Sequence, residues 1–163
     1  MRAAALGLLL ALTAHAGAAA VPGVIFTVID GDTVLFKPDH YAARSRAFLK
    51  IRLADIDAPE RDQRHGPAAT RALSALVLHR QVEVETVATD AYGRKIAHVR
   101  VGAVWVNRAL VQRGHAWTST RYRRDPVLVK AEREARSAGR GLWRDTAPTP
   151  PWVWRRREQS AQR

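Results

Sequence analysis

The sequence predicts an α+β fold: a small closed five-stranded β-barrel with about three α-helices around it. Three observations carry this. The β-branched and apolar runs come in the order three strands, helix, two strands, then helices. A chain of 163 residues suits one domain around one core. Its apolar fraction of 47% is ordinary for a packed globular protein. Elements in this order satisfy one another when the sheet closes on itself and the helices pack outside it.

Each element has its own local reason. Residues 24–29 are apolar and β-branched, a first strand. Asp30-Gly31-Asp32 is turn chemistry, and 33–36 resumes as the second strand. A polar loop follows, then a third strand over 48–53. Ala58-Pro59-Glu60 breaks that strand, and a charged loop runs to Gly66. Pro67 fits the first turn of a helix that reaches about His79. Leu73, Leu76 and Val77 fall on one face of it. Residues 82–87 alternate as a fourth strand, 90–94 form a turn, and 96–101 make the fifth. Gly102 serves a hairpin into Val104. Asn107 is placed to cap a short helix over 108–113, closed by Gly114. A third helix runs from near Pro126 to Gly139, with Glu132 and Arg136 spaced for an i,i+4 pair.

The domain organisation has three parts. Residues 1–20 read as a secretory signal: Arg2, a short apolar stretch, then small residues with cleavage positions after Ala16 or Ala20. Pro22, Gly23 and the weakly apolar alanines do not suit a spanning helix. The expectation is a secreted or periplasmic protein with no stable membrane insertion once the signal is removed. Residues 21–146 form the barrel domain. Residues 147–163 are a Pro-, Trp- and Arg-rich basic tail outside the barrel. Trp152 and Trp154 in it either stack on bases beside Arg155, Arg156 and Arg157 or pack the tail onto the barrel.

Charge narrows the partners. Lys plus Arg number 27 against 15 Asp plus Glu, a net charge of +12. That balance favours a polyanion: nucleic acid, anionic membrane or an acidic polymer. Apart from Lys37, Lys50, Lys95 and Lys130 the basic residues are arginines, whose planar fork pairs with phosphate oxygens. The absence of cysteine excludes disulfides and thiolate metal sites. Any metal must use oxygen or imidazole ligands.

Three clusters sit at strand ends or turns: Asp30-Gly31-Asp32-Thr33, Arg52 to Glu60, and Asp90-Ala91-Tyr92-Gly93-Arg94. Singly, each has a plain structural reading: a hairpin turn, a charged edge strand, a turn. Together their chemistry is complementary. Asp32, Asp57 and the Ala58 carbonyl are hard oxygen donors of the kind calcium takes. Arg52 and Arg94 suit the equatorial oxygens of a phosphoryl group, and Glu60 can orient or deprotonate water. For Arg52, Asp57 and Glu60 to converge, the chain must bend before Pro59.

Taken together these residues resemble the staphylococcal (micrococcal) nuclease family over roughly 24–143. The pairs Val106-Asn107 and Ala109-Leu110, and the signature Gly141-Leu142-Trp143, extend the likeness. The resemblance implies an OB-fold barrel with three helices and calcium-dependent hydrolysis of DNA and RNA. It implies Asp32, Asp57 and the Ala58 carbonyl as metal ligands, with Asp30 in the outer shell. Arg52 would bind the scissile phosphate, Glu60 would act on the attacking water, and Arg94 would contact the phosphate near the leaving 5′ oxygen. In-line attack would leave 3′-phosphate ends. Tyr92 and Tyr122 match nucleotide-contacting positions, while Thr120 stands where the type member has a second tyrosine. Ala58 replaces its threonine, and the loop after Glu60 is shorter.

The six histidines have no zinc spacing and are assigned to surface or core. Trp105, Trp117 and Trp143 are assigned to the core or its edge. The leading expectation is therefore a monomeric secreted endonuclease favouring single-stranded or breathing nucleic acid. The rivals are an OB barrel that binds nucleic acid without cutting it, and a cationic envelope protein that binds anionic lipid.

Overall fold

The computed structural model describes residues 19–119 and 125–161. The expected signal segment, residues 1–20, lies almost wholly outside them, as do Thr120 and Tyr122. The strands are β1 (Val21–Val28), β2 (Thr33–Pro38), β3 (Leu49–Leu53), β4 (Ile56–Asp57), β5 (Gln81–Thr89), β6 (Lys95–Val101), β7 (Val104–Trp105) and β8 (Trp117–Thr118). The helices are α1 (Gly66–Val77), α2 (Val106–Gln112), α3 (Pro126–Ser137) and α4 (Pro151–Ala161), with a 3₁₀ turn at Gly141–Arg144.

Strands β3, β2, β1, β5 and β6 pair in that order, and a parallel β3–β6 ladder closes the ring. The result is a closed five-stranded barrel, with β7 as a hairpin extension of β6. Closure removes the sheet edges that would otherwise be open to pairing. Alternation along the strands sends Ile25, Val34, Phe36, Ile51, Leu53, Val82, Val84, Ala97 and Val99 inward, each 2% exposed or less. Side chains of this size each contribute roughly 1.5–3 kcal/mol on burial. Leu73 and Val77 of α1 and Val106 and Leu110 of α2 join the same core.

The first three helices form near their expected places, α1 with Pro67 in its first turn and α2 beginning at Val106, two residues before the expected start. Helix α3 is capped by Asp125, whose side chain accepts the Val127 N–H at 2.7 Å. The i,i+4 pair Glu132–Arg136 forms at 2.6 Å, and the buried Glu132 also accepts from Thr118.

Asn107 is not a helix cap. It lies inside α2, fully buried, and its amide is a hub. Its Oδ1 accepts the Val99 N–H at 3.0 Å, and its Nδ2 donates to the Ala54 and Ala97 carbonyls at 2.9 and 3.2 Å. A capping preference is local, whereas an unpaired backbone group where β3 ends beside β6 would cost more. That demand claims the side chain.

The basic C-terminal segment is not a tail clear of the barrel. It folds as α4 and returns to the barrel face where β3 ends. Trp152 packs edge-on against Trp117 with ring centroids 6.3 Å apart, so it takes the packing role of the two left open. Trp117 is buried in turn, also meeting Trp143 at 5.4 Å.

Candidate active site

Three chain reversals bring the acidic and basic groups together. The first is the β1–β2 turn. Asp30 Oδ1 accepts the Asp32 N–H at 3.0 Å, which fixes the turn. Gly31 lies against α1 and the chain after β4: a Cβ there would sit 2.7 Å from the Ala58 Cβ and 2.8 Å from the Ala69 Cβ. Glycine thus lets Asp32 approach the second cluster. The contact is completed by the Ala58 N–H, which donates to Asp32 Oδ2 at 2.8 Å.

The second reversal follows β3. Asp55 takes a left-handed backbone (φ 60°) and swings the chain into β4. This is the bend that convergence of Arg52 and Asp57 requires. Arg52 on β3 pairs through Nη1 with Asp32 and through Nη2 with Asp57 Oδ1 at 2.8 Å. Asp32 and Asp57 are each 6% exposed. Burial pushes the Asp32 carboxyl up to about 6, against the pull of Arg52, with Asp30 and Asp57 adding to the rise. Burial acts against the Arg52 charge too, but Asp32 and Asp57 outweigh it and hold its pKa above the usual value.

The third reversal is the β5–β6 turn. Asp90 Oδ1 accepts the Tyr92 and Arg94 N–H groups at 2.9 and 3.0 Å, and Gly93 takes φ 77°. The same carboxylate holds Arg94 Nε at 2.7 Å. Tyr92 is 86% exposed, with Arg94 over its ring at 5.7 Å.

One cleft of about 350 Å³ has Asp30, Asp32, Arg52, Ala58, Glu60, Tyr92 and Arg94 in its wall. Of the expected site residues among those described, only Asp57 is outside this wall; it lines the adjoining cleft with Arg52 and Arg94 and is tied to Asp32 through Arg52. Glu60 is fixed through its backbone: its N–H donates to Gln63 Oε1 at 3.1 Å, and the Gln63 N–H donates to its carbonyl at 3.0 Å. The loop that follows doubles back so tightly that a Cβ on Gly66 would strike the Glu60 carbonyl. His65 stays out of the cleft, bonded through Nε2 to Asp145 at 2.9 Å.

The residue that sequence reasoning missed is Arg155 on α4. Its Nη2 meets Asp57 Oδ2 at 2.7 Å, and its Nη1 meets Glu60 Oε1 at 2.6 Å and Asp57 Oδ1 at 3.2 Å. The hydrogen bond to Asp57 raises its pKa despite partial burial, with Glu60 adding to the rise. Gln159, one turn further along α4, reaches the same cleft. The available signal was the spacing Trp152, Arg155, Gln159 on one helical face after Pro151.

As they stand, no three acidic or histidine side chains among the described residues converge as a metal group. The donor set nevertheless suits a hard divalent cation. Two buried carboxylates share one wall, beside a third that lies within reach of Asp57 through a single guanidinium. Backbone carbonyl and water would complete the shell.

A closed five-stranded barrel with carboxylates and arginines gathered where β3 ends defines an OB-fold enzyme built to grip a phosphodiester. Residues 50–145 match the family described as staphylococcal nuclease homologue. A protein of Escherichia coli O157:H7 named "Uncharacterized endonuclease" is 39% identical over 139 residues, covering 85% of this chain and 87% of that protein. A Haemophilus influenzae protein of the same name is 34% identical over 135 residues, covering 83% and 73%. The "Micrococcal nuclease" of Shigella flexneri is 33% identical over 150 residues, covering 85% and 83%. The chain belongs to the staphylococcal nuclease family, and with it to the nucleases, hydrolases of the phosphodiester bond.

Proposed function

We propose that this nuclease is a calcium-dependent endonuclease of DNA and RNA that acts outside the cytoplasm and leaves 3′-phosphate ends. The observation that carries the reading is the shared cleft: Asp32, Arg52, Glu60 and Arg94 line it, and Arg52 ties Asp57 to Asp32. Asp32, Asp57 and the Ala58 carbonyl would hold calcium, with Asp30 behind them. Bound there, the ion supplies positive charge next to the scissile phosphate.

The chain's own residues do the rest. Arg52 and Arg94 bind the non-bridging phosphate oxygens, whose negative charge grows toward the transition state. Glu60 orients the attacking water and takes its proton as the P–O bond forms. The bond to the 5′ oxygen breaks in line, beside Arg94, which leaves phosphate on the 3′ side. Tyr92 offers an exposed ring to a neighbouring base. A surface cleft reaches single strands and breathing duplexes most readily. The net charge of +12 draws substrate in and makes binding weaken as salt rises.

The secreted location rests on residues 1–20, whose charged start, apolar stretch and small residues suit a removable signal. No helix among the described residues is long and apolar enough to cross a membrane.

The test is cleavage of end-labelled single- and double-stranded DNA and RNA by the purified chain across a calcium titration. Cleavage that rises with calcium, stops with chelator and leaves 3′-phosphate supports the reading. Tight binding without cleavage at any calcium concentration contradicts it and leaves a binding module.

A further inference from the structure

Helix α4 lies beyond the residues that match the family, yet it is fastened to the site at several points. Gln63, the residue that fixes the Glu60 backbone, also donates through Nε2 to the Thr149 carbonyl at 2.5 Å. Asp145 is held by Arg64 and His65, each at 2.9 Å. Pro151 is buried, and Trp152 packs on Trp117. These tethers fix the start of the helix, and one turn later Arg155 is delivered between Asp57 and Glu60.

Charge makes this arrangement exchangeable. Asp32, Asp57 and Glu60 are three carboxylates facing two guanidinium groups, Arg52 and Arg155. Arg94 is already matched by Asp90. Adding a divalent cation beside Asp57 while Arg155 stays would crowd positive charge onto one carboxylate. Replacing the guanidinium by the cation satisfies the acids and frees Glu60. The two arginines differ in their freedom to leave: the Arg52 side chain is 18% exposed and built into the barrel, whereas that of Arg155 is 38% exposed on a peripheral helix.

We infer that Arg155 is a resident counter-ion of the active site, which holds Asp57 and Glu60 until a divalent cation displaces it. This rests on the proposed calcium dependence and deepens it. Cation binding must overcome the Arg155 contacts, so the apparent affinity is reduced by the fraction of molecules in which Arg155 is docked. The cation threshold for activity is thereby written into the C-terminal helix. It also means that Glu60 becomes free to act on water only in the cation-loaded protein.

The test is calcium affinity of the full chain by isothermal titration calorimetry, for wild type, R155Q and R155K. Arg155→Gln should bind calcium about tenfold or more tightly than wild type, and Arg155→Lys should stay near wild type. In the wild-type chain alone, saturating calcium should speed hydrogen exchange of the amides in residues 152–161. Equal or weaker affinity in Arg155→Gln, with wild type binding calcium and cutting nucleic acid, overturns the counter-ion role and leaves the nuclease reading intact. A wild-type chain that binds no calcium yet cuts nucleic acid in chelator overturns the calcium dependence itself.

Discussion

Arg52 and Arg155 grip the same carboxylate, Asp57, from two sides, and they are held in opposite ways. Arg52 stands on a barrel strand with hydrogen-bonded neighbours on both sides: β2 on one and β6 on the other. Arg155 arrives on a terminal helix that touches the barrel through its first turns. One wall of the cleft is therefore built into the core, and the other is laid against it. The same residue type thus grips one carboxylate from two backbones, one paired on both sides within the barrel and one on a peripheral helix, and the proposed exchange of Arg155 rests on that difference.

The first consequence concerns Glu60, which faces the exchangeable wall. Glu60→Ala should slow single-turnover cleavage on the order of 10³-fold, about 4 kcal/mol of barrier, with little change in the melting temperature. A rate within tenfold of wild type would remove Glu60 from the chemistry.

The fixed wall should be thermodynamically expensive to disturb. Asn107→Ala strands the Val99 N–H and the Ala54 carbonyl in the core and leaves the Ala97 carbonyl with the Ala54 N–H alone, although the residue touches no part of the cleft. Urea unfolding should show a loss of about 2–4 kcal/mol. A loss below about 1 kcal/mol would mean that the end of β3 is not held by this amide.

The buried acid on the fixed wall also gives a pH signature. Asp32 is raised from 3.8 to about 6 by burial, so folding favours its protonated form. That contribution is fully present below the unfolded value and is lost as pH rises through about 6. In calcium-free buffer, wild type should lose roughly 2–3 kcal/mol relative to Asp32→Asn between pH 4 and pH 7. Parallel stability curves for the two proteins would contradict the burial argument.

The smallest effect belongs to the laid-on wall. Trp152→Ala removes the contact with Trp117 and should cost only about 1–2 kcal/mol in urea unfolding. A loss as large as that for Asn107→Ala would make α4 part of the core and erase the contrast.

What was legible in the sequence follows the same division. The cleft's three reversals are local: each needs only a few neighbouring residues, such as Asp30-Gly31-Asp32 or the Asp90 to Arg94 turn. Their chemistry shows in the sequence at the point where it is used. The barrel was legible because its strands alternate and its helices repeat with their own period. Asn107 was misread because its side chain answers a demand set by β3 and β6, which no capping rule contains. Arg155 was missed because its partners lie 98 and 95 residues away, and only docking of α4 brings them within reach. Its composition looked like a solvated basic tail.

The most direct measurement is single-turnover cleavage of a labelled single-stranded oligonucleotide at saturating calcium by wild type and Arg52→Ala, each checked for fold by circular dichroism. The expected result is calcium-dependent cutting by wild type and a loss of 10³-fold or more in the folded variant, since Arg94, already paired with Asp90, cannot by itself replace the charge that Arg52 brings to the phosphate. A folded Arg52→Ala protein that cuts within tenfold of wild type would contradict the account.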